Sequence, residues 1–422
     1  MKHHAHAWRA MHHAGYRLYF AGQAISILGN WIQQVALGWL VYRLTGSAML
    51  LGTVAFLTQI PQLVVSPLAG IVIDRSNIRQ LMIVVQLAML LQAVSLAVLT
   101  WFGLVVPWHI LVAATVFGIL NSFDVPLRHA YTSQLVPDRQ DLPNAIALNS
   151  LFFNLARFIG PPLAGFILTH TSEASCFALN AISFVATIGV LLYLRTSSQA
   201  HSSAAFADAL REGFVFVRQH FPVRHLLWQV ALLNFLAASY VPLMPAFARD
   251  VFRGGPDTLG LLLGSAGAGA LLASVTLAGR RSVRGLSGSI AQGNLLASLS
   301  LIGFVLTSDI GVAIVMLFLL GFGLITCNTS SNTILQTILP ERLRGRILAL
   351  YSAANLGAAA LGGLVCGAMA DHWGPGPSLL LMGILLIAVS LFFFARLELF
   401  RMHLRPIYAQ LGIKHPSKQE ES

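Results

Sequence analysis

Apolar runs about twenty residues long, separated by short polar stretches, organise the whole chain. They fall at 18–42, 49–73, 80–103, 107–133, 144–168 and 174–194. After a longer polar break they resume at 225–248, 257–279, 287–307, 309–337, 346–370 and 377–396. A bilayer core takes about 20 helical residues to cross. Lipid offers the backbone no hydrogen-bond partner, so a crossing segment satisfies its own amides. The pattern predicts an all-α membrane protein of twelve transmembrane helices, six on each side of the break. The break itself has helical periodicity from Ala204 to Gln219, with Phe206, Leu210, Phe214 and Val217 in phase. That predicts an amphipathic linker helix on the membrane face. The expected organisation is an N-terminal six-helix bundle (1–195), a linker (196–222), and a C-terminal six-helix bundle with a polar tail (223–422).

The two halves are copies. L-V-P-D-R at 135–139 matches I-L-P-E-R at 338–342, and I-A-L-N-S at 146–150 matches L-A-L-Y-S at 348–352. Gly160 and Gly165 match Gly362 and Gly367. Parallel repeats of this kind put a substrate site at their interface near the midplane, with rocking of the halves giving alternating access.

Composition agrees. The 422 residues are 56% hydrophobic and 10% charged, where soluble domains run to about 25% charged. The formal charge of +11 would suggest nucleic acid in a soluble protein, but here the arginines sit in short loops between apolar runs. Of the 26 Lys and Arg, 21 fall on the side that holds both termini, three fall on the other, and Arg128 and Arg157 lie within spans. The positive-inside rule then predicts cytoplasmic termini. No small-residue cleavage site precedes the first span, so no removable signal is expected. Cys176, Cys327 and Cys366 are isolated and read as packing residues. His3, His4, His6, His12 and His13 fit no standard metal spacing and read as a mobile tail. No cofactor is expected, and the glycine-rich phosphate loop of an ATP-driven machine is absent.

Charges within spans are costly, about 2.5–3.5 kcal/mol each on insertion scales, and mark functional paths. Three occur: Asp124, Arg128 and Arg157. The second copy, near 321–367, lacks all three. Asp124 and Arg128 are spaced i, i+4 and share a helix face. Arg157 lies near the midplane with no acid on its own helix. Two readings of it stand: a bidentate partner for an anionic substrate group, or an interhelical structural bond. Polar residues near the midplane add Asn30, Gln34, Gln59, Asn154, Asn234, Tyr240, Asn328, Asn332, Tyr351 and Asn355.

Gly70, Asp74, Arg75 and Arg79 carry the pattern G-x-x-x-D-R-x-x-x-R between the second and third spans. This resembles the loop motif of the major facilitator superfamily. The resemblance implies a cytoplasmic gate in which Asp74 caps a helix of the opposite half. Arg75 and Arg79 would pair with a carboxylate, Asp124 being the expected partner and Arg128 a further member. G-N-W-I-Q-Q-V-A-L-G-W-L-V-Y (29–42), S-F-D-V-P-L-R-H-A (122–130) and N-L-A-R-F-I-G-P (154–161) look like the enterobactin-exporter-like branch of that superfamily, the siderophore and multidrug exporters also called transmembrane secretion effectors. Ala156, Gly160, Pro161, Ala164 and Gly165 resemble the fifth-helix motif of exporters, with alanine at two glycine positions. The fourth-span arginine common in drug–proton antiporters is missing from Leu111–Gly118.

The resemblance implies a cavity lined by the first, fourth, seventh and tenth helices. It implies a non-enzymatic, monomeric transporter of a bacterial inner membrane, exporting a siderophore or drug-like amphipath against a coupling proton. Siderophore uptake and lysophospholipid flipping remain alternatives, as does a transport-inactive sensor or assembly partner. The substrate-cavity candidates are Arg157, Asn30, Gln34, Asn154, Asn234, Tyr240, Asn328 and Asn355.

Overall fold

A computed structural model describes residues 9–136, 138, 140–194, 206–280 and 282–412. The described residues form twelve helices long and apolar enough to cross a membrane. Those of the first half are α1 (Ala14–Thr45), α2 (Ala48–Arg75), α3 (Ile78–Trp101), α4 (Pro107–Leu135), α5 (Leu142–His170) and α6 (Glu173–Tyr193). The linker helix α7 (Phe206–Gln219) follows. The second half has α8 (Phe221–Ala237), α9 (Tyr240–Ala246), α10 (Pro256–Ala278), α11 (Leu286–Leu306), α12 (Ile310–Ile338), α13 (Glu341–Trp373) and α14 (Pro375–Ala395), then an amphipathic α15 (Leu397–Gln410). The chain is a multi-pass membrane protein of two six-helix bundles. The face at which α1 begins and α14 ends is called here the terminal face, and the other the far face.

Every predicted span is helical, and most helices run several residues past the apolar run. Side-chain caps set those ends: Ser47 accepts from the Leu50 amide and Asn77 from that of Gln80, each taking up a donor the first turn leaves free. Asp309 does the same for Val312 at 2.9 Å. Gly46, in the left-handed region at φ 62°, turns the chain tightly from α1 into α2.

One span is not continuous. The seventh, expected at 225–248, breaks after Ala237, restarts as α9, and ends in a wider π turn at Phe247–Val251. Pro242 and Pro245 remove two amides from its ladder, and Ser239 Oγ closes the gap on the Leu236 carbonyl at 2.7 Å. The linker helix is present, with a different orientation at one position. Phe214 is exposed, while Phe216 and Val217 pack on the second half. The Ala204 end lies outside the described residues, as do Lys2, His3, His4, His6, Arg139, Arg281, Lys414 and Lys418.

Two helix pairs make the most extensive contacts between the halves, α5 on α10 and α2 on α13. Both depend on glycine. A methyl on Gly165 would stand 2.5 Å from the Pro256 carbonyl and 3.2 Å from Gly260 Cα. A methyl on Gly367 would stand 2.6 Å from the Ala48 carbonyl and 3.2 Å from Gly52 Cα. The matched glycines of the two repeats therefore do the same work at equivalent crossings, as small residues do where helices meet in lipid. Gly160 likewise faces Trp31 of α1, while its match Gly362 lies against the Phe235 backbone of α8.

Candidate functional site

Between α1, α2, α4 and α5 lies a cavity of about 520 Å³, within the range of small-molecule sites. It runs from Gln34 and Gln62 at mid-depth toward the terminal face, past Gln23, His129 and Asn149. Trp31, Phe117 and Phe153 supply apolar wall; Asn30, Gln34, Gln62, Asn121, Asn149 and Asn154 supply amides. Asn30 is also tied to a buried network behind the wall. Asn180 donates to it at 3.2 Å and to Gln33 at 2.8 Å, and Gln33 donates to Gln92 at 3.1 Å. Asn154 donates to the Ser150 carbonyl one turn back at 2.9 Å.

The charges of α4 stand in this wall. Asp124 is 1% exposed and Arg128 9%. Arg128 Nε meets Asp124 Oδ2 at 2.5 Å, and Gln86 of α3 donates to Asp124 Oδ1 at 2.7 Å. This corrects the expected pairing. Asp124 pairs along its own helix with Arg128, not with Arg75 or Arg79. Arg79 instead donates to the Leu191 and Leu192 carbonyls at 2.6 and 2.9 Å, closing the end of α6. Asp74 is half-buried and Arg75 exposed at the end of α2, and a side chain on Gly70 would meet open space. The loop motif is thus unlocked at the terminal face. The physical reason is reach. Arg79 opens α3 beside the carbonyl end of α6, where unpaired acceptors attract a cation, while Asp124 lies deeper with its own arginine one turn away.

A cap of the expected kind does occur, at the far face and from the other half. Asp371, at the end of α13, accepts from the Ala48 amide at 2.6 Å, the Met49 amide at 3.1 Å and Ser47 Oγ at 2.8 Å. It covers the N-terminus of α2 across the interface. Nearby, Tyr42 hydrogen-bonds Asp250, and Arg249 donates to the Tyr42 carbonyl at 3.3 Å. With the glycine crossings, these contacts close the far face.

The remaining candidates separate into two groups. Arg157 (α5) and Tyr240 (α9) are brought together across the interface, guanidinium against hydroxyl. Asn234, Asn328 and Asn355 do not line the cavity described. Asn234 and Asn328 hydrogen-bond each other at 3.0 Å, and Tyr351 donates to the Asn328 carbonyl at 2.7 Å; Asn355 bonds the Tyr351 side chain. They form an interhelical polar cluster inside the second half. Gly160, Pro161 and Gly165 are buried helix contacts, not cavity wall. Sequence reasoning missed Gln23, Gln62, Asn121, His129 and Asn149. A helical stripe marks several of them: Gln23, Ile27, Asn30 and Gln34 on α1, and Phe117, Asn121, Asp124 and Arg128 on α4, recur at three- and four-residue steps. The cysteine and histidine expectations resolve differently. The three cysteines are buried and free. Residues 9–13 are docked rather than loose: His13 Nε2 lies 3.1 Å from Asp141 Oδ2, and the Ala10 amide donates to Asn144 at 3.0 Å.

Two solved structures share this architecture, and both are of transporters. The nucleoside transporter NupG aligns with a TM-score of 0.66 at 14% identity, covering 89% of this chain and 98% of its own. A bacterial homologue of the lysosomal transporter Spinster, inward-facing and unoccupied, aligns at 0.68 and 14%, covering 92% and 98%. Sequence relatives include the Staphyloferrin A transporter of Staphylococcus aureus, 25% identical over 90% of this chain and 95% of that one. Macrolide efflux protein A of Streptococcus pyogenes is 23% identical over 88% and 93%. Enterobactin exporter EntS of Escherichia coli is 28% identical over 89% and 92%. The family model for transmembrane secretion effectors matches residues 5–416. Two glycine-crossed six-helix bundles, a cavity between helices of the first, and a match along almost the whole length agree: the chain belongs to the transmembrane secretion effector family of the major facilitator superfamily.

Proposed function

We propose that the protein exports an amphipathic small molecule, a siderophore or drug-like compound, across a bacterial inner membrane by alternating access, coupled to protons. The observation that carries this reading is the asymmetry of the interface. Asp371, Tyr42 and the glycine crossings close the far face, while the cavity extends toward the terminal face. The 21-to-3 distribution of basic residues supports a cytoplasmic terminal face, so the described state is the one that loads from the cytoplasm. A cavity with aromatic wall on one side and amides on the other suits a substrate with an apolar body and several polar groups. Direction rests on the small-residue motif of α5 and on relatives that bear exporter names. Both repeats reside in one chain, so a single copy supplies both sides of the interface.

The test is secretion and accumulation in the source organism. A deletion strain grown without iron should retain its siderophore, or should accumulate a macrolide given externally, and the wild-type gene should restore efflux. Unchanged levels of both would reject export of these two classes.

A further inference from the structure

Resting on the reading of the cavity as the substrate route, we propose that Arg157 and Tyr240 form a clasp for a carboxylate of the substrate at the inner end of that cavity. The first half supplies the guanidinium and the second half supplies the phenol hydroxyl. One anionic group is thus held from both sides of the interface that moves.

Arg157 carries a charge near the midplane that no carboxylate balances. Asp124 is taken by Arg128 on its own helix. At the far face Asp250 bonds Tyr42, and Glu173 holds Arg43 at 2.7 Å. Among the described residues, no carboxylate stands within ion-pair distance of the Arg157 guanidinium. Its side-chain partner is the Tyr240 hydroxyl. A neutral amide would bond that hydroxyl without the cost of placing a charge in a span, and a charge kept there despite the cost marks a functional path. A planar guanidinium presents five donors in a fork suited to two carboxylate oxygens. One phenol oxygen uses little of it.

The position of the pair supplies the route to it. Arg157 is half-buried and stands one turn deeper along α5 than Phe153 and Asn154, which line the cavity. It shares the α5 face of Phe153 and Gly160, and both of these meet Trp31 of α1. Tyr240 opens α9 directly after the break in the seventh span. Beyond the pair, the glycine crossing of α5 on α10 seals the interface toward the far face. The inner end of the cavity therefore lies beside a cation of the first half and a hydroxyl of the second. Tyr240 Oη accepts from Arg157 and keeps its own O–H to donate. A carboxylate entering between them takes charge-assisted N–H bonds from the guanidinium and the phenol O–H on its other oxygen. Its single charge neutralises the single unbalanced cation; a phosphate dianion would exceed it. No proton moves at the clasp: the substrate arrives ionised, and the guanidinium and the phenol keep theirs. Proton coupling is left to other groups of the chain. The substrate class that follows is an amphipathic monocarboxylate that enters acid group first. Its apolar body lies against Phe153 and Trp31, and its neutral polar groups meet Asn30, Gln34 and Asn154.

The probes are biphenyl-4-carboxylate and its neutral counterpart of the same shape, biphenyl-4-carboxamide. Binding to the full-length protein in nanodiscs is measured by calorimetry, with empty nanodiscs as the blank. The wild type should bind the carboxylate about tenfold or more tightly than the carboxamide, because bonds to an ionised acceptor exceed those to a neutral one. R157Q should lose this preference. R157K, which keeps the charge and guards against misfolding of the first variant, should retain part of it. Y240F should cut the preference about threefold, the share of one hydroxyl bond to a charged oxygen. A purely structural Tyr240 would instead weaken both probes alike. Equal binding of the two probes by the wild type, a full preference in R157Q, or an unaltered preference in Y240F would each overturn the proposal. Efflux of a macrolide from proteoliposomes of the same preparation separates the two readings. Efflux with no carboxylate preference rejects the clasp alone, whereas a carboxylate preference with no transport of macrolide or probe rejects the transporter reading alone.

Discussion

Removing the Asp371 carboxylate should loosen the closed far face by an amount that the geometry sets. Asp371 accepts from two amides and a hydroxyl at the first turn of α2, so Asp371→Ala deletes a helix cap supplied from the other half. A lost cap costs about 0.5–2 kcal/mol, and an anion at a helix N-terminus contributes about 0.3–1 kcal/mol when exposed. Asp371 is exposed and Ser47 still caps Leu50 from within the helix, so the lower part of the range applies. About 1 kcal/mol corresponds to about a fivefold shift toward the state with an open far face. Because the cap joins the two halves, this free energy acts on the conformational equilibrium and not only on stability. Spin labels at exposed Leu104 and Leu306, both at the far face in opposite halves, would report its opening by electron–electron distance measurement. A second pair at Tyr193 and Met402 would report closure of the terminal face. Asp371→Ala should populate a longer far-face distance about fivefold more than wild type, with the terminal-face distance shortening in step. Asp371→Glu should lie between. If the populations change less than twofold, the cap is not a latch.

Other consequences are more local. Gly165→Ala would drive a methyl to 2.5 Å from the Pro256 carbonyl; overpacking of this kind costs about 1–3 kcal/mol. It should lower the melting temperature and reduce transport, whereas Gly189→Ala, where a methyl meets nothing within 4 Å, should leave both within error. Arg157→Ala should abolish transport while membrane expression stays intact, and Tyr240→Phe should reduce transport less, since the pair spans the interface that moves. Glu212→Gln frees Arg342 and Arg346, which it holds from the linker helix. These partly exposed pairs are worth about 0.2–1 kcal/mol, so melting should shift slightly, and salt titration should erase the difference from wild type.

The periodicity and the charge content of the chain determined the fold class. Twelve apolar runs of bilayer length admit one economical solution, and the repeats announced two like halves. Gly160 and Gly165 with their partners Gly362 and Gly367 were legible for the same reason, because a missing side chain is a sequence fact and close helix approach needs it. The break in the seventh span was half legible: Pro242 and Pro245 are visible, but whether proline bends or stops a helix depends on what satisfies the freed carbonyls. Partners were not legible. Asp124 with Arg79 and Asp124 with Arg128 are both plausible on charge alone, and only the depth of α4 and the carbonyl end of α6 decide between them. Asp371 carried no sequence signal as a cap, since its target lies 323 residues away. The cavity showed the same limit. Its polar stripes on α1 and α4 follow from helical spacing, but membership in the wall depends on which neighbour covers each face. Asn234 and Asn328, as polar and as central as Asn30, turned toward each other. Local chemistry is written along the chain, and the contacts that assign it a use arise only when distant segments are packed together.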